Sequence, residues 1–225
     1  MNNTAQEKTE VIIEKHSLAI RWFHWVNFPV IMLMIWSGIL IYWANPMYFP
    51  LPSEVSTFLH IDHQLATGMG WHFFLMWFFT INGILYFSFL LISGEWRWII
   101  PDKKSFSEAS QVLLHDLKIS KNKPVVRGKF NGAQRIVYSA VIVMGLGSLL
   151  TGIAIYKPVQ VGWFTQLLGG YEAARLEHFI LMILFILFFI IHVLQVMRAG
   201  WNNFRAMIAG YEIQKSEEAK KTEQA

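Results

Sequence analysis

The stretch that decides the fold is LEHFILMILFILFFIIHVLQVM, residues 176–197. At about 1.5 Å per residue it is long enough, as a helix, to cross about 30 Å of hydrocarbon. Only Glu177, His178 and His192 interrupt it with ionisable groups. The two histidines stand 14 residues apart. At about 100° per residue, that spacing returns to within roughly 40° of the same face, about 21 Å further along the axis. One transmembrane helix thus offers two imidazoles, at two depths, to one interior.

Working outward, residues 22–43, 71–92 and 136–156 are runs of the same kind. The sequence therefore predicts an all-α integral membrane four-helix bundle. Pro29 and isolated glycines interrupt the runs, which membrane helices tolerate when neighbours satisfy the freed backbone groups. Composition agrees: 54% of residues are hydrophobic and 15% charged, whereas charged residues make up about a quarter of a soluble domain. The chain has no cysteine, which excludes disulfides, Cys-ligated iron-sulfur clusters, thiolate-bound haem and C-x-x-C-H haem attachment. Any metal must rest on histidine, methionine or oxygen.

A net charge of +4 would suggest nucleic acid in a soluble protein, but its distribution follows membrane topology. Of the 19 Lys and Arg residues, 17 lie before the first run, between the second and third, or after the fourth. Only Lys157 and Arg175 lie on the other side. The positive-inside rule puts both termini and the middle loop in the cytoplasm of a bacterial inner membrane, and no nucleic-acid partner is expected. The first run is too long for a signal-peptide core, and Trp43-Ala44-Asn45-Pro46 after it lacks a cleavage pattern. The expected division is a cytoplasmic segment over 1–21, a transmembrane domain over 22–200, and an interfacial helix with a disordered polar end over 201–225. An amphipathic stretch over 105–119 is expected to lie on the cytoplasmic surface.

Tyrosines aside, the ionisable side chains inside the spans are His24, His72, Glu177, His178 and His192. Such groups are costly in hydrocarbon and mark function by default. Topology sets His72 and His178 at the outer level, His24 and His192 at the inner one. A haem iron held by four porphyrin nitrogens needs two axial ligands from opposite sides. The expected sites are therefore two haem b groups, with His72 and His178 on the outer iron and His24 and His192 on the inner. His60 and His63 precede the second run in the outer loop, His63 is the competitor for His72, and His16 and His115 read as surface residues. Gly38 and Gly152 are candidate positions for packing a macrocycle, against the alternative that they only bring helices together.

The segments Arg21-Trp22-Phe23-His24-Trp25, His72, Gly128-Lys129-Phe130-Asn131-Gly132-Ala133-Gln134-Arg135, Leu150-Thr151-Gly152 and the His178/His192 pair together resemble a known family. It comprises the cytochrome b membrane-anchor subunits of formate dehydrogenase, Ni-Fe hydrogenase and thiosulfate reductase complexes. The likeness runs over nearly the whole chain. It implies a di-haem protein passing electrons between an outer-face oxidoreductase, of molybdoenzyme or hydrogenase type with an iron-sulfur subunit, and membrane quinone. It also implies a quinone contact at Asn131, where a helix N-cap is the competing reading.

A rival is a self-sufficient cytochrome b, similar to small di-haem proteins that react with quinone and superoxide. A third reading is a haem-free membrane scaffold. Arg21, Arg135 and Arg198 inside, and Lys157 and Arg175 outside, are candidate partners for haem propionates, against the plain topology signal. Glu177, a carboxylate adjoining a candidate ligand at the outer edge, has two open readings, a bond to that region's histidines or a contact for a partner.

Overall fold

The computed structural model describes residues 10–45, 48–116, 118–120 and 129–215. The chain runs through β1 (Glu10–Glu14), α1 (Leu18–Ala44), α2 (Ser53–Phe58), α3 (Leu65–Ser93), α4 (Trp96–Ile99) and α5 (Lys103–Asp116). It continues through α6 (Gly132–Tyr156), α7 (Gly162–Leu167), α8 (Tyr171–Ala209) and β2 (Tyr211–Lys215). Helices α1, α3, α6 and α8 are long and apolar enough to span a membrane. Each contains one expected span and extends beyond it. The apolar run marks the hydrocarbon, whereas the helix ends are set by caps outside it. Ser17 caps α1, its side chain accepting from Ile20 N, and Gly94 ends α3 in the left-handed region at φ 74°.

The bundle is apolar outside, as lipid as solvent requires: Ile92 is 88% exposed and Met197 72%. Its most buried positions include small polar residues, among them Ser37, Thr151 and Asn82. Packing divides the four helices into two pairs, α1 against α3 and α6 against α8, whose backbones lie close along their length. Between the pairs the close backbone approach is between α1 and α8 and is limited. Side chains bridge the seam there, Phe28 stacking on Phe189 and Tyr42 on Phe179 at ring-centre distances of 6.0 and 4.3 Å. Within the first pair, Asn82 Nδ2 donates to Asn27 Oδ1 at 2.7 Å, a polar link of the kind that holds membrane helices together.

Three features differ from expectation at the basic end. First, α5 does not simply float on the surface. Its Ser105 and Glu108 are buried, and a Cβ on Gly132 would stand 2.4 Å from Ser105 O, so the α5 backbone rests directly on the start of α6. Second, α8 runs on to Ala209, but its backbone breaks at Gly200 (φ 81°, ψ 174°). The break sets off a separate helical piece beginning at Trp201. Third, β1 and β2 pair antiparallel, from Glu10 opposite Lys215 to Glu14 opposite Tyr211. This small ribbon joins the two terminal regions that the sequence suggested were separate. Lys15 N and His16 N both donate to Gly210 O, at 2.8 and 3.1 Å, and Lys15 pairs with Glu212. The expected polar end beyond residue 215 lies outside the described residues.

Candidate functional site

Each of the four intramembrane histidines is set by its helix at one of two levels along the seam. His72 near the start of α3 meets His178 near the start of α8, ring centres 6.2 Å apart. His24 near the start of α1 meets His192 on α8, ring centres 6.1 Å apart. These are the pairings that topology and ligand geometry imply. His63, the competitor for His72, lies exposed in the turn before α3, and His60 bonds Phe58 O at 3.0 Å.

In each pair the two imidazoles face one another across the seam with room for a metal ion between them, so His72 with His178, and His24 with His192, would suit a haem iron at each level. The chemistry of the donor set fits as well, since neutral imidazoles are the usual ligands of b-type haem. Among the described residues there is no group of three or more His, Asp or Glu side chains able to hold a metal ion.

The outer pair is braced by two hydroxyls. His72 Nδ1 is 2.9 Å from Ser37 Oγ, and His178 Nδ1 is 2.8 Å from Thr151 Oγ1. Beside each hydroxyl stands a glycine: a Cβ on Gly38 would lie 3.7 Å from His72 Cε1, and one on Gly152 would lie 3.5 Å from His178 Cε1. Both glycines therefore leave space against the outer rings. Sequence reasoning missed Ser37 and the role of Thr151. The hydroxyl-glycine dipeptide they share, Ser37-Gly38 in α1 and Thr151-Gly152 in α6, also occurs at Thr67-Gly68 and Ser93-Gly94 and so does not single them out. The inner pair is built differently. His24 packs edge-on against Trp25, His192 stacks on Phe188, and, among the described residues, His24 Nδ1 is buried with no hydrogen-bond partner.

Asn131 caps α6 through a capping box. Its side chain accepts from Gln134 N at 2.9 Å, and Gln134 Oε1 accepts from Asn131 N at 3.0 Å. The cap uses the carboxamide oxygen. The basic residues weighed for propionates all have local partners. Arg21 donates to Ile208 O, Arg135 to Ile100 O, and Arg198 to Asp116 O. Arg175 pairs with Glu172, and Lys157 lies over the Tyr156 ring. Glu177 lines an open groove with Gly147, Thr151 and Leu181.

Comparison with known proteins agrees with this geometry. A family model described as "Prokaryotic cytochrome b561" matches residues 15–210, covering all four membrane helices. The chain is also 33% identical over 183 residues to the "Putative protein-methionine-sulfoxide reductase subunit YedZ1" of Azospira oryzae, covering 80% of this chain and 89% of that protein. With four membrane-spanning helices and histidines paired at two depths, the chain belongs to the prokaryotic cytochrome b561 family, haem b-binding electron-transfer proteins that cross the bacterial inner membrane several times.

Proposed function

We propose that the domain over 22–200 carries two haem b groups and serves as the membrane subunit of a larger oxidoreductase. It exchanges electrons between a partner enzyme at the outer face and the quinone pool. The observation that carries this reading is the meeting of four histidines in two pairs across the seam, at 6.2 and 6.1 Å. His72 and His178 hold the outer group, His24 and His192 the inner, and Gly38 and Gly152 leave room at the outer level. Bound haem supplies reversible one-electron storage at each level.

The chain's own part is to hold the two sites about 21 Å apart along α8 and to keep water out of the seam. Carrying one electron over that distance against an inside-negative potential costs roughly 1.6 kcal/mol per 100 mV, so the two levels must differ in environment to move charge inward. At the basic end, Asn131 remains the candidate quinone contact. Its oxygen is engaged in the cap, so the contact would use the Nδ2 donors. The finer resemblance to anchors of formate dehydrogenase, hydrogenase and thiosulfate reductase supports an outer-face molybdoenzyme or hydrogenase with an iron-sulfur subunit. The relative's name, a reductase subunit, supports the subunit reading over a self-sufficient enzyme.

The test is His192→Ala in the purified full chain and in membranes. It should remove one of two haems from the spectrum and stop quinone-linked electron transfer. Undiminished haem in that variant would overturn the ligand assignment.

A further inference from the structure

We propose that Ser37 and Thr151 are positioning residues that fix the tautomer of the outer imidazoles and lower the reduction potential of the outer haem alone. The proposal rests on the two-haem reading above. A hydroxyl has one proton to give. Ser37 Oγ lies 3.0 Å from Met34 O and Thr151 Oγ1 lies 2.7 Å from Gly147 O, the back-bonding geometry of Ser and Thr inside helices. With the proton donated to the carbonyl, each hydroxyl oxygen accepts from the neighbouring ring. His72 Nδ1–H then donates to Ser37 at 2.9 Å and His178 Nδ1–H to Thr151 at 2.8 Å. Both outer rings are thereby held as Nδ1–H tautomers, with the Nε2 lone pair free for a metal.

Such outer partners orient a ligating imidazole and raise its basicity. A more basic ligand stabilises the oxidised iron. The two hydroxyls act from different helices, α1 and α6, on ligands carried by α3 and α8, so the outer level is tied to all four spans. The inner level differs: among the described residues, His24 Nδ1 is buried without a hydrogen-bond partner. The chain thus treats its two haem levels unequally, through residues that themselves touch no iron.

The experiment is a redox titration, followed optically and by low-temperature EPR, of the full chain and of Ser37→Ala, Thr151→Val and Thr151→Ser. Thr151→Val is nearly isosteric, and Thr151→Ser keeps the hydroxyl. The expected result is an upward potential shift of one haem in the Ala and Val variants, with the other haem unmoved and Thr151→Ser like the parent. A tenfold change in that haem's reduction equilibrium reads as about 59 mV. Two haems with unchanged potentials in the Ala and Val variants would overturn the proposal and leave the haem reading standing. If Thr151→Val loses a haem, Thr151→Ser decides: retention there supports the hydroxyl's role, and loss there overturns it. Fewer than two haems in the parent chain would overturn the reading on which the proposal rests.

Discussion

Gly152 and Gly38 stand where a methyl group still fits beside the outer imidazoles and a larger side chain does not. A Cβ at Gly152 makes ordinary contact with His178 Cε1 at 3.5 Å, so Gly152→Ala should keep both haems, whereas Gly152→Leu should displace the ring and cost one haem per chain. A pyridine haemochrome assay on both variants checks this, and equal haem in the two would mean the glycine serves helix packing only. At this scale the sequence was most legible where residues were expensive. Four histidines in hydrocarbon need a reason, and a 14-residue spacing on one helix supplies it. Ser37 and Thr151 were not legible in the same way, because a hydroxyl in a membrane helix can satisfy itself on its own backbone and so signals nothing by being there. Asn131 shows the opposite case, in which a local rule, the helix N-cap, was readable and is present, closed into a capping box by Gln134.

The four spanning helices were readable from their apolar runs, but the elements at the basic end were not. Helix α5 docks through close backbone approach at Gly132 rather than through an apolar stripe, and the β1–β2 ribbon pairs residues roughly 200 positions apart in two five-residue segments, of which only the second alternates in polarity. Both can be tested. Gly132→Ala would place a Cβ 2.4 Å from Ser105 O, so α5 must shift, at a cost of about 1–3 kcal/mol. A lowered melting temperature and faster proteolysis near α5, with haem content intact, are the expected outcome; unchanged stability would mean that α5 is not anchored there. In the ribbon region, His16 is half-buried rather than fully solvated, and its pKa is lowered, first by burial and then by the charge of Lys15 and Lys129. A histidine with a depressed folded pKa favours the folded state above its unfolded value of about 6.5, and that contribution fades as pH falls below it. Hydrogen exchange of residues 10–16 and 211–215, corrected for intrinsic rates, should therefore quicken between pH 7.5 and 5.5, and His16→Gln should flatten the change. An equal change in that variant would assign the pH dependence elsewhere.

The whole molecule is two close helix pairs with a seam between them, and the seam is where all four intramembrane histidines meet. That arrangement follows from ligand placement: α1 and α3 each bring one histidine, α8 brings two at separate depths, and α6 brings none but supplies Thr151 and Gly152 against the outer pair. Backbone approach is close within the pairs and sparse between them, so the seam is crossed by side chains such as Phe28 on Phe189 and Tyr42 on Phe179. The basic end, with the ribbon, α5 and Asn131, faces the cytoplasm by the positive-inside rule. The outer end carries α2, α7 and exposed apolar side chains such as Phe58 and Trp163. The central claim is that the seam holds two haem groups, each between a histidine pair. It is tested most directly by a dithionite-reduced minus oxidised spectrum of the purified chain in mild detergent, taken with a haem-per-chain determination. Two low-spin b haems per chain are predicted, and one or none would contradict the account.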